Sequence, residues 1–257
     1  MSAWSPFPYA GEYAFTVASI RNQWDRLHAG DREPLPQDDP LLQAWAHFHN
    51  GDFFEATALG LSLGSAGVNV VNKATCIYAT YLEKRESRRL ALFLDVAERA
   101  GQALALDPNN LNAYYLRAYA LSRYSQCISV AKALAQGLGT KVRVDLETVI
   151  RRDPHHADAH IALGSFHAEV IDKVGAMVGA MTYGANKKVG LELFTRALKL
   201  NVQSALGMVE YAQAILMLEG EKMLADAAHL YQKAASAQPA DAWERLEVEL
   251  AKAEIDG

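Results

Sequence analysis

Residues 147–167 read ETVIRRDPHHADAHIALGSFH, and the reading of this stretch decides the fold. It divides into the end of one amphipathic helix, a tight turn at Asp153-Pro154, and the start of a second helix. Proline cannot continue a helix, because it lacks the N–H and its ring clashes with the preceding turn. Beyond it, Ala157, His160, Leu163, Gly164 and His167 form a small and apolar stripe at helical spacing. The phrase recurs three times. Ala103 to Pro108 (ALALDP) leads into Asn112 to Ala118, and Ala197 to Leu200 leads, without the proline, into Ala205 to Ala214. Ala234 to Pro239 leads into the last helix.

Pro108, Pro154, Val202 (where a proline would fall) and Pro239 are spaced 46, 48 and 37 residues apart. A helix–turn–helix unit that cannot bury its own apolar face must stack on neighbours, and periods of this length mark helical repeat arrays. The expected fold is therefore all-α. Residues 1–38 form an irregular lead and a first helix, whose face carries Tyr13, Val17, Ile20, Trp24 and Leu27 within Glu12 to His28. Residues 39–239 form about five helical hairpins, with Asp39 as an N-cap before Pro40. Residues 240–257 supply a charged capping helix, and the whole is read as one domain. The hairpins run 41–49 with 53–63, 72–84 with 88–106, 111–130 with 142–152, 157–170 with 189–200, and 205–218 with 224–237.

The repeat resembles the tetratricopeptide repeat (TPR), a helical hairpin of about 34 residues with a W-x2-L-G-x2-Y, A-x3-F and P pattern. His160, Leu163, Gly164 and His167 stand on its first part and Phe194 and Ala197 on its second. Tyr114, Ala118 and Leu121 match in the preceding hairpin, and Tyr211, Ala212, Ile215, Ala227, Tyr231, Ala234 and Pro239 in the next. Ala44, the Gly51-Asp52 turn and Ala56 fit in the N-terminal one. Each unit is longer than the TPR, and the extra length falls between the first and second helix. The resemblance thus implies a TPR-like α-α superhelix, a solenoid of helical hairpins with extended insertions inside them. Weaker likenesses run to the regulator-of-microtubule-dynamics type, through Leu163-Gly164, Glu169-Val170, Tyr183-Gly184 and Phe194 to Ala197, and to the helical T component of TRAP-type transporters. They imply a partner-binding or ligand-harbouring scaffold rather than a catalyst.

In TPR arrays the first helix of each hairpin lines the concave face. That analogy nominates Tyr115, Tyr119 and Arg123, then Ile161, Ser165 and Glu169, then Gln213, as a groove for a protein or peptide partner. Tyrosine and arginine are residue types that anchor interfaces. The same tyrosines equally suit packing within the array. The insertion Val170 to Gly190 (VIDKVGAMVGAMTYGANKKVG) is the second candidate. Gly175 and Gly179 stand four apart, as small residues do where a helix approaches another closely. Met177, Met181 and Tyr183 add adaptable apolar surface. This segment is read as a filler between repeats, as a lid over an apolar ligand, or as a contact in a homo-oligomer.

Composition bounds the rest. Net charge is -5 over 257 residues, which argues against a dedicated nucleic-acid binder. The longest charge-free apolar run, Val174 to Ala185, is too short to span a bilayer. No export signal is read at the N-terminus, and the expected location is cytoplasmic. Cys76 and Cys127 show no metal-ligand spacing and are expected to be buried thiols. His156 and His160 lie four apart on one helical face but lack a third ligand, so they read as structural. No nucleophile elbow, phosphate loop or dinucleotide fingerprint occurs. No catalytic residue, cofactor or metal is expected.

Overall fold

The computed structural model describes residues 4–256, and among these every regular element is helical. In chain order the α-helices are α1 (Val17–Leu27), α2 (Asp39–Asn50), α3 (Phe53–Ser62), α4 (Val68–Tyr81), α5 (Glu86–Leu106), α6 (Leu111–Gln126) and α7 (Val130–Ala135). There follow α8 (Leu138–Arg152), α9 (Ala157–Val174), α10 (Ala176–Tyr183), α11 (Lys187–Leu200), α12 (Ala205–Glu219), α13 (Leu224–Ala235) and α14 (Ala242–Asp256). The pairs α2–α3, α4–α5, α9–α11 and α12–α13 pack as hairpins. The short helices α7 and α10 occupy the insertions, the one between α6 and α8 and the other between α9 and α11.

Three of the turns between long helices share one geometry. Asp107, Asp153 and Asn201 end their helices at φ/ψ of -133/93°, -132/92° and -132/88°. Three residues later Asn110, His156 and Ser204 cap the next helix, each accepting a hydrogen bond from the backbone N–H three positions on, at 3.0, 3.1 and 3.0 Å. The extended φ/ψ at the helix end is what a following proline enforces, yet Val202 takes the proline position and the turn is unchanged. The capping side chain accounts for that, because it satisfies an N–H the helix start would otherwise leave open. Pro239 does not complete the series: α13 closes at Ser236 through Ser236 N–H to Gln232 C=O instead.

Several helix limits differ from those read in the sequence. Tyr13 and Phe15 precede α1 rather than lying on it. Thr16 and Ser19 form a capping box that starts the helix at Val17. The Asn50 amide then holds the backbone of Phe15 from both sides, accepting its N–H at 2.7 Å and donating to its C=O at 3.1 Å. The N-cap of α2 is Asp38, one residue before the one expected. α4 begins at Val68, straight out of a 3-10 turn, and α9 runs a further turn to Val174.

The chain divides into two compact units. The first holds the residues up to His28, Glu33–Ala133 and Ala240–Trp243. Its central element is α4, buried at every position from Val68 to Ala79 and packed by α2, α3, α5 and α6. A helix buried all round needs partners for its polar groups. Asn72 Oδ1 accepts from Arg99 at 2.6 Å, Asn69 exchanges amide bonds with Asn110 at 3.1 and 3.0 Å, and Thr75 donates to Val71 C=O at 2.7 Å. The second unit holds Ala29–Arg32, Leu134–Pro239 and the chain from Glu244 onward. Its core joins Leu146, Val149, Phe166, Phe194, Met208, Val209, Ile215 and Val248, all buried. The helices expected as the third hairpin are divided between the units, α6 in the first and α8 in the second.

Within the second unit the Leu163-Gly164 phrase has a visible purpose. A Cβ on Gly164 would lie 2.8 Å from the Phe194 ring, which is fully buried and stacked on Tyr211 at 5.1 Å. Gly164 is bare so that α9 and α11 can close on that ring. Gly190 repeats the device from the other helix, where a Cβ would meet the Cβ of His167 at 3.0 Å.

Candidate functional site

The first-helix residues nominated from sequence separate by depth. On α6, Tyr115 and Tyr119 are buried, and the Tyr119 hydroxyl pairs with Thr80 Oγ1 at 2.9 Å. Burial pushes the Tyr119 phenol above its ordinary value, against the pull of Arg123. Arg123 is half-buried, its guanidinium 5.2 Å over the Tyr119 ring. On α9, Ile161 is buried, while Ser165 and Glu169 are half-buried. On α12, Gln213 is half-buried and bonds the Tyr231 hydroxyl.

Within the second unit α9 packs directly on α12, and their polar residues meet. Ser165 Oγ donates to Glu210 Oε2 at 2.6 Å. Glu210 was not among the nominated residues. Its signal was available: it lies three before Gln213, one helical turn along the same face. Ser165, Glu169, Glu210 and Gln213 thus make a half-buried polar row on two first helices, with two carboxylates in it.

The insertion lies differently. Gly175 and Gly184 bracket α10 at φ +81° and +65°, and only Gly179 of that helix is buried, against Val170, Ile171 and Ala185. Met177 is 74% and Met181 83% exposed, so both present apolar surface to solvent. Tyr183 is half-buried and anchors the end of the segment: its C=O accepts from Arg143 at 2.8 Å, and its ring lies where a Cβ on Gly139 would be, 2.7 Å away. Lys187 pairs with Glu219 at 2.5 Å.

The histidines of the repeat serve the backbone. His156 caps α9, His160 Nε2 donates to Pro154 C=O at 3.1 Å, and His167 Nδ1 accepts the Asn186 N–H at 3.2 Å. Burial, assisted by the Arg143 charge, holds the His167 imidazole down at about 4, which keeps Nδ1 available as an acceptor. Of the two thiols, Cys76 is buried and its ionisation is pushed well up by burial, whereas Cys127 is only half-buried, 3.8 Å from an Arg89 nitrogen. No group of three or more metal-type ligands gathers among the described residues.

Sequence reasoning missed the polar and aromatic centre of the first unit. His49 is fully buried, with Nδ1 2.5 Å from Asp241 Oδ2 and Nε2 3.3 Å from His28 Nε2. Beside it the Lys73 ammonium lies 4.2, 5.4 and 5.9 Å from the ring centres of Trp243, Phe48 and Trp45. His49 and Asp241 are 192 residues apart, and no local pattern announces such a pair.

A crystal structure of a thermophilic TPR protein from Thermus thermophilus superposes on this chain with a TM-score of 0.58. The alignment covers 83% of this chain and 97% of that one, at 18% identity. The fold is TPR-like. No family model matches the sequence, and no curated protein matches it. At this identity the likeness is one of fold. It agrees with the closeness of Gly164 to Phe194 and with the three equivalent turns. No described helix is long and apolar enough to cross a membrane.

Proposed function

We propose that the protein is a non-catalytic scaffold that binds a segment of a partner protein along its first-helix faces. The observation that carries this reading is the polar row of Ser165, Glu169, Glu210 and Gln213 on α9 and α12. These side chains keep partial exposure beside buried Phe166, Ala168, Val209 and Ala212. Half-buried polar groups at the edge of an apolar floor fix the orientation of a bound segment, while buried aromatics beneath keep the floor rigid. In the first unit Arg123, stacked over Tyr119, is the corresponding polar group. The non-catalytic part of the reading is supported by how reactive groups are employed: the His156, His160 and His167 rings are tied to the backbone, and Cys76 is buried as a thiol.

A photo-crosslinking residue at Gln213 of the full chain tests it, with one at exposed Lys233 on α13 as the control. The expected result is capture of a discrete protein partner from Gln213 alone, abolished by Glu169→Lys with Glu210→Lys. Equal capture from both positions, or none from Gln213, overturns the reading.

A further inference from the structure

The chain's own N-terminal segment completes a pocket on the first unit that the polar row does not involve. Its floor is Phe7 and Phe53, both buried, and its walls include half-buried Trp4 and Phe54, which is 55% exposed. Asp52 and Glu55 stand on the same lining. Gly51 makes the floor possible. It takes φ +88° to close α2, and a Cβ there would lie 2.5 Å from the Phe7 ring. Trp4 is held in place from one side, stacked on Tyr78 at 4.0 Å, while the Ser5 N–H donates to the Tyr78 hydroxyl at 3.2 Å.

Three properties of this pocket select its occupant. Its volume, about 280 Å³, lies at the small end of the roughly 300–1,000 Å³ of small-molecule sites and suits one long side chain. Its walls are aromatic, Trp4 and Phe54 meeting edge to face at 6.1 Å between ring centres, and aromatic rings attract cations. Its charge is negative. The N-terminus of α3 contributes about half a positive charge, outweighed by the two carboxylates. The Asp52 carboxylate makes no hydrogen bond to cap α3, and its contact is His47 at 3.4 Å. Glu55 makes no hydrogen bond or ion pair with any described residue.

We propose that this pocket receives an arginine side chain of a partner protein, its guanidinium lying against Trp4 and Phe54 and facing Asp52 and Glu55. A planar guanidinium meets both demands at once, stacking on a ring while its fork of N–H groups reaches a carboxylate; a lysine ammonium is a compact charge that does neither as well. The molecule already uses this chemistry internally. Arg88 lies 6.0 Å over the Tyr78 ring, the ring that backs Trp4, and its Nε is 3.2 Å from Glu83. The formal charge of -5 favours a basic partner in general.

The test is a backbone-amide NMR titration of the isotope-labelled full chain with acetyl-Gly-Arg-Gly-amide, and with the same peptide carrying uncharged citrulline. The arginine peptide is expected to shift the Gly51, Asp52, Phe54 and Glu55 amides with a dissociation constant of the order of 1 mM. Citrulline should bind several-fold more weakly, and Phe54→Ala and Glu55→Gln should each weaken the arginine peptide by about two- to fivefold. Phe54 and Glu55 are exposed, so both variants keep the fold, which their unshifted amides elsewhere report. Equal binding of the citrulline peptide, absence of shifts at about 10 mM peptide, or tighter binding of tetramethylammonium chloride overturns the proposal. The readout is confined to the α2–α3 turn and uses a synthetic peptide, so it stands or falls separately from the crosslinking at Gln213.

Discussion

The hairpins α2–α3 and α9–α11 are built from the same two-helix unit and finished in opposite ways. In α2–α3 two residues, Gly51 and Asp52, join the helices, and the chain's N-terminal segment lies over the join. Phe7 fills the space that Gly51 leaves, and Asn50 grips the backbone of Phe15. In α9–α11 the join is a helix of its own. α10 is held by buried Gly179 and by Tyr183 at its end, and turns Met177, Val178 and Met181 outward. What stays constant between them is the pairing of the long helices. What varies is the connection inside the hairpin, and surface chemistry follows the connection.

The largest test of the constant part is Phe194→Ala. Removing a fully buried ring that Gly164 was kept bare to admit should cost about 3–5 kcal/mol. Denaturant unfolding measures the loss, and hydrogen exchange should show it first in α9 and α11. A loss below about 1 kcal/mol would mean that Gly164 and Phe194 do not hold this hairpin together.

Acid separates the two regions next. The His167 imidazole is held down at about 4 by burial and by Arg143, from an ordinary value of 6.5. The unfolded chain therefore takes up that proton first. The stability it contributes is complete above pH 6.5 and is lost as pH falls toward 4. The loss is of the order of 2–3 kcal/mol. Beside α4, burial pushes the Glu83 carboxyl up, but hydrogen bonds from Arg85 and Tyr78 outweigh it and hold the group at about 2. Its contribution is present above pH 4.5 and disappears as pH falls toward 2. Histidine and carboxylate NMR titrations should show the two windows. His167→Gln should flatten the stability profile between pH 6.5 and 4 while leaving the lower window in place.

Glycine substitutions sharpen the contrast between the connections. Gly51→Ala meets both a left-handed backbone and the Phe7 ring, and should cost roughly 2–3 kcal/mol. Gly137→Ala, before α8, meets a left-handed backbone (φ +63°) with open space around it. It should cost only about 1 kcal/mol. Thermal melts rank the pair, and equal costs would show that Phe7 gives way. The smallest effect belongs to α10: Met177→Gln with Met181→Gln should change stability by less than about 0.5 kcal/mol, because both side chains already face solvent.

The same division explains what could be read from sequence. The stripe from Ala157 to His167 and the match of Gly164 to Phe194 were legible because both arise from one helix period and one packing contact. The α9–α11 hairpin could be paired from its ends alone, without a reading of the helix between them. Tyr13 misled because it continues the spacing of α1, while the capping box at Thr16 and the grip of Asn50 decide where the helix starts. Tyr115, Tyr119 and Ile161 have the right residue types and spacing for a groove, yet periodicity assigns a face and not a depth. All three are buried. Glu210 needed only the next helical turn to be counted. His49 with Asp241, and the pocket beneath Trp4, depend on segments distant in sequence, and a single sequence carries no trace of such pairings.

The three matching turns, Asp107 to Asn110, Asp153 to His156 and Asn201 to Ser204, carry a consequence for how such a chain changes length. Each is a closed unit of four residues whose backbone angles and capping bond leave no slack, so an added residue there would rotate the second helix against the first. In the connections holding α7 and α10, the Gly137 and Gly175 junctions have no side-chain cap, and doubling a flexible loop costs only about 0.6 kcal/mol. Grafted peptides, new cut sites and evolutionary insertions belong in those connections, at Gly137 and Gly175. The matching turns set the repeat's ruler, and that ruler tolerates Val202 for proline but should not tolerate a frame of five.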